Sequence, residues 1–210
     1  GNFSLTTAGG FGQRSFANLA AGAYSVSETI PAGWDRTGAT CSDGSDPASI
    51  NLAPGERVTC TFENTRRGSV TVVKNSTGGD DGFGFVSQTL GGFTLTTAGG
   101  SAQRTFTNLL PGAYDLAETV PSGWRLDGAT CSDGSSPAGV SVDPGENVTC
   151  TFANTKLDTI IVVNRAVGGD AAFPFTSNTL GAFTMTTANG EAQRTFTNLA
   201  PGAYDLSAIV

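Results

Sequence analysis

Three polar side chains fall where strand alternation puts apolar ones. Lys74 continues the face set by Val70 and Val72, and Glu118 continues that of Tyr114 and Leu116. Asn154 continues the face of Val148, Cys150 and Phe152. Residues two apart in a strand share one face, so all three are expected to point inward, where a polar group is costly unless it meets a partner. Two chemistries are open to such a set. One is a non-covalent Lys–Glu ion pair with a hydrogen-bonded Asn. The other is a spontaneous isopeptide bond between Lys74 and Asn154. Burial lowers the lysine pKa and supplies a neutral amine nucleophile. The same burial keeps Glu118 protonated, so that it can polarise the Asn154 carbonyl and relay protons as ammonia leaves. This second chemistry is a single self-modification and not enzymatic turnover.

The four cysteines form two pairs of equal spacing, Cys41/Cys60 and Cys131/Cys150. An even count with a repeated spacing predicts one disulfide per pair in an oxidising compartment. Zinc would need four ligands close together, and each pair comes with no histidine. Closing a loop of about 20 residues is worth roughly 3 kcal/mol in the chain-entropy view. The sequence contains no histidine at all, which excludes Ser-His and Cys-His catalysis and His-metal sites within it. No cofactor or metal site is expected. The acidic turns at Ser42–Asp46 and Gly78–Asp81 read as solvated turns and not as calcium loops, because Ser136 stands where Asp46 stood one repeat earlier.

Composition agrees with short strands and tight turns. Of 210 residues, 29 are glycine and only 14% are charged, against about 25% in an average soluble domain. A formal net charge of −7 offers no electrostatic attraction to nucleic acid or anionic membrane. No apolar run is long enough to insert as a bilayer-spanning helix.

An internal period organises the chain. The run at Phe3 (FSLTTAGG) returns at Phe93 (FTLTTAGG) and Phe183 (FTMTTANG), an offset of 90 residues each time. Alternating segments separated by Gly/Pro turns at Gly78, Pro111, Pro121 and Asp143 predict about seven short strands per unit. The fold class is therefore all-β, with tandem immunoglobulin-like antiparallel β-sandwich domains. The expected division is 1–67, a repeat without its first two strands; 68–156, a complete repeat; and 157–210, a repeat without its last three strands. Gly1 is not expected to be the native start, and Val210 falls inside a strand-like run from Ala203, so both ends read as cut. Links of a few residues between units predict a semi-rigid rod.

The segments SVTVVKN (from Ser69), YDLAETVPSGW (from Tyr114) and VTCTFANTK (from Val148) resemble the SpaA-like and collagen-adhesin B-type domains of bacterial surface proteins. That resemblance implies a prealbumin-like fold. It also implies an internal isopeptide formed by a first-strand lysine, the glutamate of an E-x-x-P-x-G-aromatic segment and a last-strand asparagine. Lys74, Glu118 and Asn154 match those places. In the first copy Glu28 and Asn64 match, and the corresponding lysine would lie before Gly1. Two departures stand out. Trp34 and Trp124 replace the usual tyrosine, with packing the expected consequence. The third copy has Asn164 at the lysine place and Ala208 at the glutamate place, so no such bond is expected there.

The function expected is structural: an extracellular or bacterial cell-surface stalk, pilus-like fibre or filament. Its expected partners are neighbouring repeats or further copies of the same protein. The alternative is an adhesin module that binds a host or glycan ligand. No enzymatic activity is expected.

Overall fold

The computed structural model describes residues 1–209; Val210 lies outside the described residues. The chain divides into two compact units, Gly1–Arg66 and Arg67–Val210. Among the described residues every regular element is a strand. The first unit holds β1 (Gly22–Tyr24), β2 (Trp34–Cys41), β3 (Ile50–Leu52) and β4 (Cys60–Arg66). They form two antiparallel pairs, β1 with β3 and β2 with β4.

The second unit begins with the complete repeat. Its strands are β5 (Gly68–Thr77), β6 (Gly82–Val86), β7 (Phe93–Thr96), β8 (Ser101–Leu109), β9 (Gly112–Tyr114), β10 (Ala117–Thr119), β11 (Trp124–Cys131), β12 (Val140–Val142) and β13 (Asn147–Lys156). The third copy follows with β14 (Asp158–Arg165), β15 (Ala172–Thr176), β16 (Phe183–Thr186), β17 (Glu191–Leu199) and β18 (Ser207–Ala208). The strand-like run from Ala203 is thus regular only at Ser207–Ala208 among the described residues. Strand β9 of the complete repeat is held by β12, and the third copy has no counterpart of β12 within the sequence.

In the complete repeat one sheet runs in the order β11-β13-β5-β8 and a second in the order β10-β6-β7, with β12 and β9 as a separate ribbon. The two sheets meet through rings: Phe85 stands edge-on to Phe152 at 5.1 Å, and Phe83 to Trp124 at 5.0 Å. Strict alternation explains the packing. Val70, Val72, Val148, Cys150 and Phe152 are buried, and the residues between them face the other side. All pairings are antiparallel except one. First strand β5 and last strand β13 run parallel, with Val70 opposite Val148, Val72 opposite Cys150 and Lys74 opposite Phe152.

Local chemistry repeats with the sequence. The β7–β8 hairpin turns through Gly99 (φ 64°) and Gly100 (φ 85°), and its third-copy counterpart through Asn189 (φ 57°) and Gly190 (φ 81°). Two successive left-handed residues suit a two-residue hairpin loop, which Gly-Gly and Asn-Gly tolerate best. The Asp80 carboxylate accepts both turn N–H groups, from Gly99 and Gly100, and Asp170 does the same for Asn189 and Gly190. A tyrosine hydroxyl donates to the carbonyl four residues upstream in every copy, at Tyr24, Tyr114 and Tyr204.

Candidate functional site

The parallel β5–β13 pairing brings the three inward polar residues together. Lys74 sits on β5, Asn154 one diagonal step along β13, and Glu118 on β10 in the facing sheet. The Lys74 Nζ donates to Asn154 Oδ1 at 2.7 Å and lies 3.5 Å from Glu118 Oε1. Lys74 is 0% and Asn154 1% exposed, and the Glu118 side chain is wholly covered. Further Nζ bonds go to the backbone carbonyls of Asn75 at 2.9 Å and Phe152 at 3.4 Å. Both Glu118 carboxyl oxygens and Asn154 Nδ2 are buried without a hydrogen-bond partner.

Electrostatics follow from that burial. Desolvation pushes the Lys74 pKa below its ordinary value, opposed by the nearby Glu118 charge. Desolvation likewise raises the Glu118 pKa, opposed by Lys74. The two groups are drawn toward a shared neutral state, amine beside carboxylic acid, in which charge burial no longer costs several kcal/mol per ion.

Two aromatic rings flank the site, and of these Phe83 was not singled out by sequence reasoning. The Phe83 ring lies 4.1 Å below Lys74 Nζ, and Trp124 packs edge-on against Phe83. The Trp124 indole N–H donates to Asp81 at 2.8 Å, anchoring the ring. Alternation from Phe83 to Phe85 puts both rings inside, which is the signal that would have found Phe83. The tryptophan expected to alter packing alone therefore also makes a hydrogen bond. In the first copy Trp34 is 38% exposed.

Each partial copy holds part of the site. In the first, Asn64 Nδ2 donates to Glu28 Oε1 at 2.6 Å, while Asn64 Oδ1 and Glu28 Oε2 are buried without partners. In the third, Ala208 lies opposite Phe175 as Glu118 lies opposite Phe85. Asn164 occupies the Lys74 place with its Nδ2 buried and unpartnered. The four cysteines form Cys41–Cys60 and Cys131–Cys150 disulfides, each joining residues directly opposite one another.

Residues 1–66 and 70–156 match the SpaA-type prealbumin-like fold domain. Among solved structures, the Bacillus anthracis TIE protein is similar at 16% identity and a TM-score of 0.36. That likeness covers 98% of this chain and 52% of the other, so the chain spans about half the length of that protein. No curated protein matches the sequence.

Proposed function

Because the chain belongs to the SpaA-type family of prealbumin-like fold domains, we propose that it is a structural repeat of an extracellular surface stalk or fibre, locked by a Lys74–Asn154 isopeptide bond. Disulfides and domains of this type are typical of proteins outside the reducing cytoplasm. One observation carries the reading: a sealed lysine amine 2.7 Å from an asparagine amide, with a carboxyl group 3.5 Å away.

The chemistry balances within the chain. Neutral Lys74 Nζ attacks Asn154 Cγ while protonated Glu118 lends a hydrogen bond to the developing oxyanion, and any proton passed to that oxygen returns to Glu118 when the carbonyl re-forms. The amine proton passes through Glu118 to Nδ2, the C–N bond to Nδ2 breaks, and one ammonia departs. An amide joins β5 to β13, and Glu118 ends protonated as it began. Nothing is turned over, so the protein is reagent and product and not an enzyme. Burial supplies proximity as well as pKa, since a held pair reacts as if at very high concentration.

The bond suits a load-bearing role. Strands β5 and β13 are the first and last of the repeat and lie parallel. Tension entering near Gly68 and leaving near Lys156 would shear them past one another. A covalent link between them carries that load past the intervening strands.

Intact-mass measurement of the full chain tests the proposal. The mass should fall by the four hydrogens of the two disulfides and by one ammonia, and Lys74→Arg should restore only the ammonia. A mass short of the disulfide hydrogens alone overturns the cross-link.

A further inference from the structure

On one side of the complete repeat each sheet ends in an edge strand. Among the described residues β7 pairs only with β6, and β8 only with β5. Arg104 lies on β8 opposite Val72, between Ala102 opposite Lys74 and Phe106 opposite Val70. Directly paired residues share a face, so alternation turns Arg104 inward, to the seam between the two edges. Its guanidinium lies 5.1 Å from the Phe93 ring of β7 and 4.8 Å from the Phe106 ring. Those rings meet edge-on at 5.2 Å. Arg104 is exposed, and among the described residues its contacts are with the two rings and not with any hydrogen-bonding or acidic group.

The arrangement returns in every copy. Arg194 lies 4.7 Å from Phe183 and 5.1 Å from Phe196, and Arg14 lies 5.4 Å from both Phe3 and Phe16. In the third copy Arg194 lines a groove with Thr184, Met185, Thr186, Ala192 and Gln193. The complete repeat has Thr94, Thr96, Ala102 and Gln103 at the same places, with Leu95 for the methionine. A ring-backed guanidinium bordered by hydroxyls and a side-chain amide thus recurs with the 90-residue period.

The chemistry of that seam narrows its ligand. A guanidinium presents a planar fork of donors that matches a carboxylate. The complete repeat carries eight acidic residues against four basic ones. Lys74 is buried, Arg125 pairs with Asp127 at 2.8 Å, and Lys156 lies over Trp124 beside Asp81, whose pKa it helps to lower. Arg104 is left to take its anion from outside. A densely charged polyanion would be repelled by the acidic excess, whereas widely spaced carboxylates would not. An inward charge on an edge strand also opposes strand addition, which disfavours an extended peptide. Threonine hydroxyls and a glutamine amide suit the hydroxyls of a sugar.

We infer that the Phe93–Arg104–Phe106 seam and its Phe183–Arg194–Phe196 counterpart bind the carboxylates of a polysaccharide in which uronic acids alternate with neutral sugars. Each seam holds one carboxylate weakly, and successive repeats on one polymer raise the affinity through effective concentration. The site is separate from Lys74, Glu118 and Asn154 and does not depend on the cross-link.

Biolayer interferometry of the disulfide-intact full chain on immobilised hyaluronate, its methyl ester and poly-glutamate tests this. The chain should bind hyaluronate and neither of the others. Arg104→Lys and Arg194→Lys keep the charge and lose the fork, and each should weaken binding about tenfold. The double variant should bind more weakly than either. Arg125→Lys, an exposed arginine away from the rings, should bind as the parent does, and an unchanged melting temperature checks that each variant is folded. No binding to hyaluronate overturns the inference, as does equal binding to the ester. Binding to poly-glutamate would assign the seam to acidic peptides instead. A loss in Arg125→Lys equal to that in Arg104→Lys would reduce the contact to general charge.

Discussion

Strands β5 and β14 occupy the same place in successive repeats and turn aliphatic side chains inward at the same positions, Val70 and Val72 against Ile160 and Val162. They part at the next inward residue, where Lys74 meets Glu118 and Asn154 while the third copy has Asn164 at the lysine place and Ala208 at the glutamate place. Lysine and glutamate are both present in one copy and both absent in the other. A buried lysine without its carboxyl neighbour, or the reverse, leaves an uncompensated charge costing several kcal/mol. A buried asparagine asks only for hydrogen bonds. The pair therefore stands or falls together, and the difference teaches that these residues form one unit.

The comparison breaks most forcefully at Glu118. Glu118→Ala should leave the ammonia in place and strand Lys74 in the core, lowering stability by about 3–5 kcal/mol in denaturant unfolding. Adding Lys74→Asn rebuilds the third-copy pair in the second copy and removes the stranded charge. The double variant should also lack the cross-link yet be more stable than Glu118→Ala. Equal instability of the two would show that the residues do not act as a unit.

Core depth sharpens the contrast next. Phe85 is 2% exposed, stacked on Phe93 and edge-on to Phe152, whereas Phe175 is 9% exposed and, among the described residues, meets the ring of Phe183 alone. Phe85→Ala should cost about 3–5 kcal/mol and Phe175→Ala clearly less, read from hydrogen exchange in each copy. Equal costs would mean that β13 adds nothing to the burial of β6.

The smallest effect lies where the second and third copies agree and the first differs. Asp115 accepts the Gln88 N–H and the Thr89 N–H and hydroxyl, which hold its pKa down to about 2. Asp205 is held at about 2 in the same way by Asn178 and Thr179. The first copy has Ser25 at that place. A depressed carboxyl pKa stabilises above the ordinary value of 3.8 and loses that contribution as pH falls through about 2. Carboxyl NMR titration should find both groups near 2, with amide protection at Ser87–Thr89 and Ser177–Thr179 lost over the same range. Titration of Asp115 at an ordinary aspartate pKa would remove this cradle from the fold.

Much of this was legible in the sequence. The period marked the copies, alternation turned Lys74, Glu118 and Asn154 inward, and equal spacing paired the cysteines. The number of strands was less legible: about seven were expected in the complete repeat and nine are present. Three-residue strands such as β9, β10 and β12 are too short to show alternation. The identical-looking runs at Phe3 and Phe93 also behave differently. Phe93–Thr96 becomes β7 because β6 lies beside it, and Phe3–Thr6 has no such neighbour within residues 1–66.

What the amino-acid order determined by itself is whatever depends on near neighbours or on repetition: inward faces, turn residues such as Gly99–Gly100, and disulfide partners. Tertiary structure alone decided that the first and last strands of the repeat lie side by side and parallel. A lysine and an asparagine 80 residues apart meet only if that pairing forms. Its register depends on how Phe83, Phe85, Trp124 and Phe152 fill the space between two sheets, and no local pattern encodes that fit.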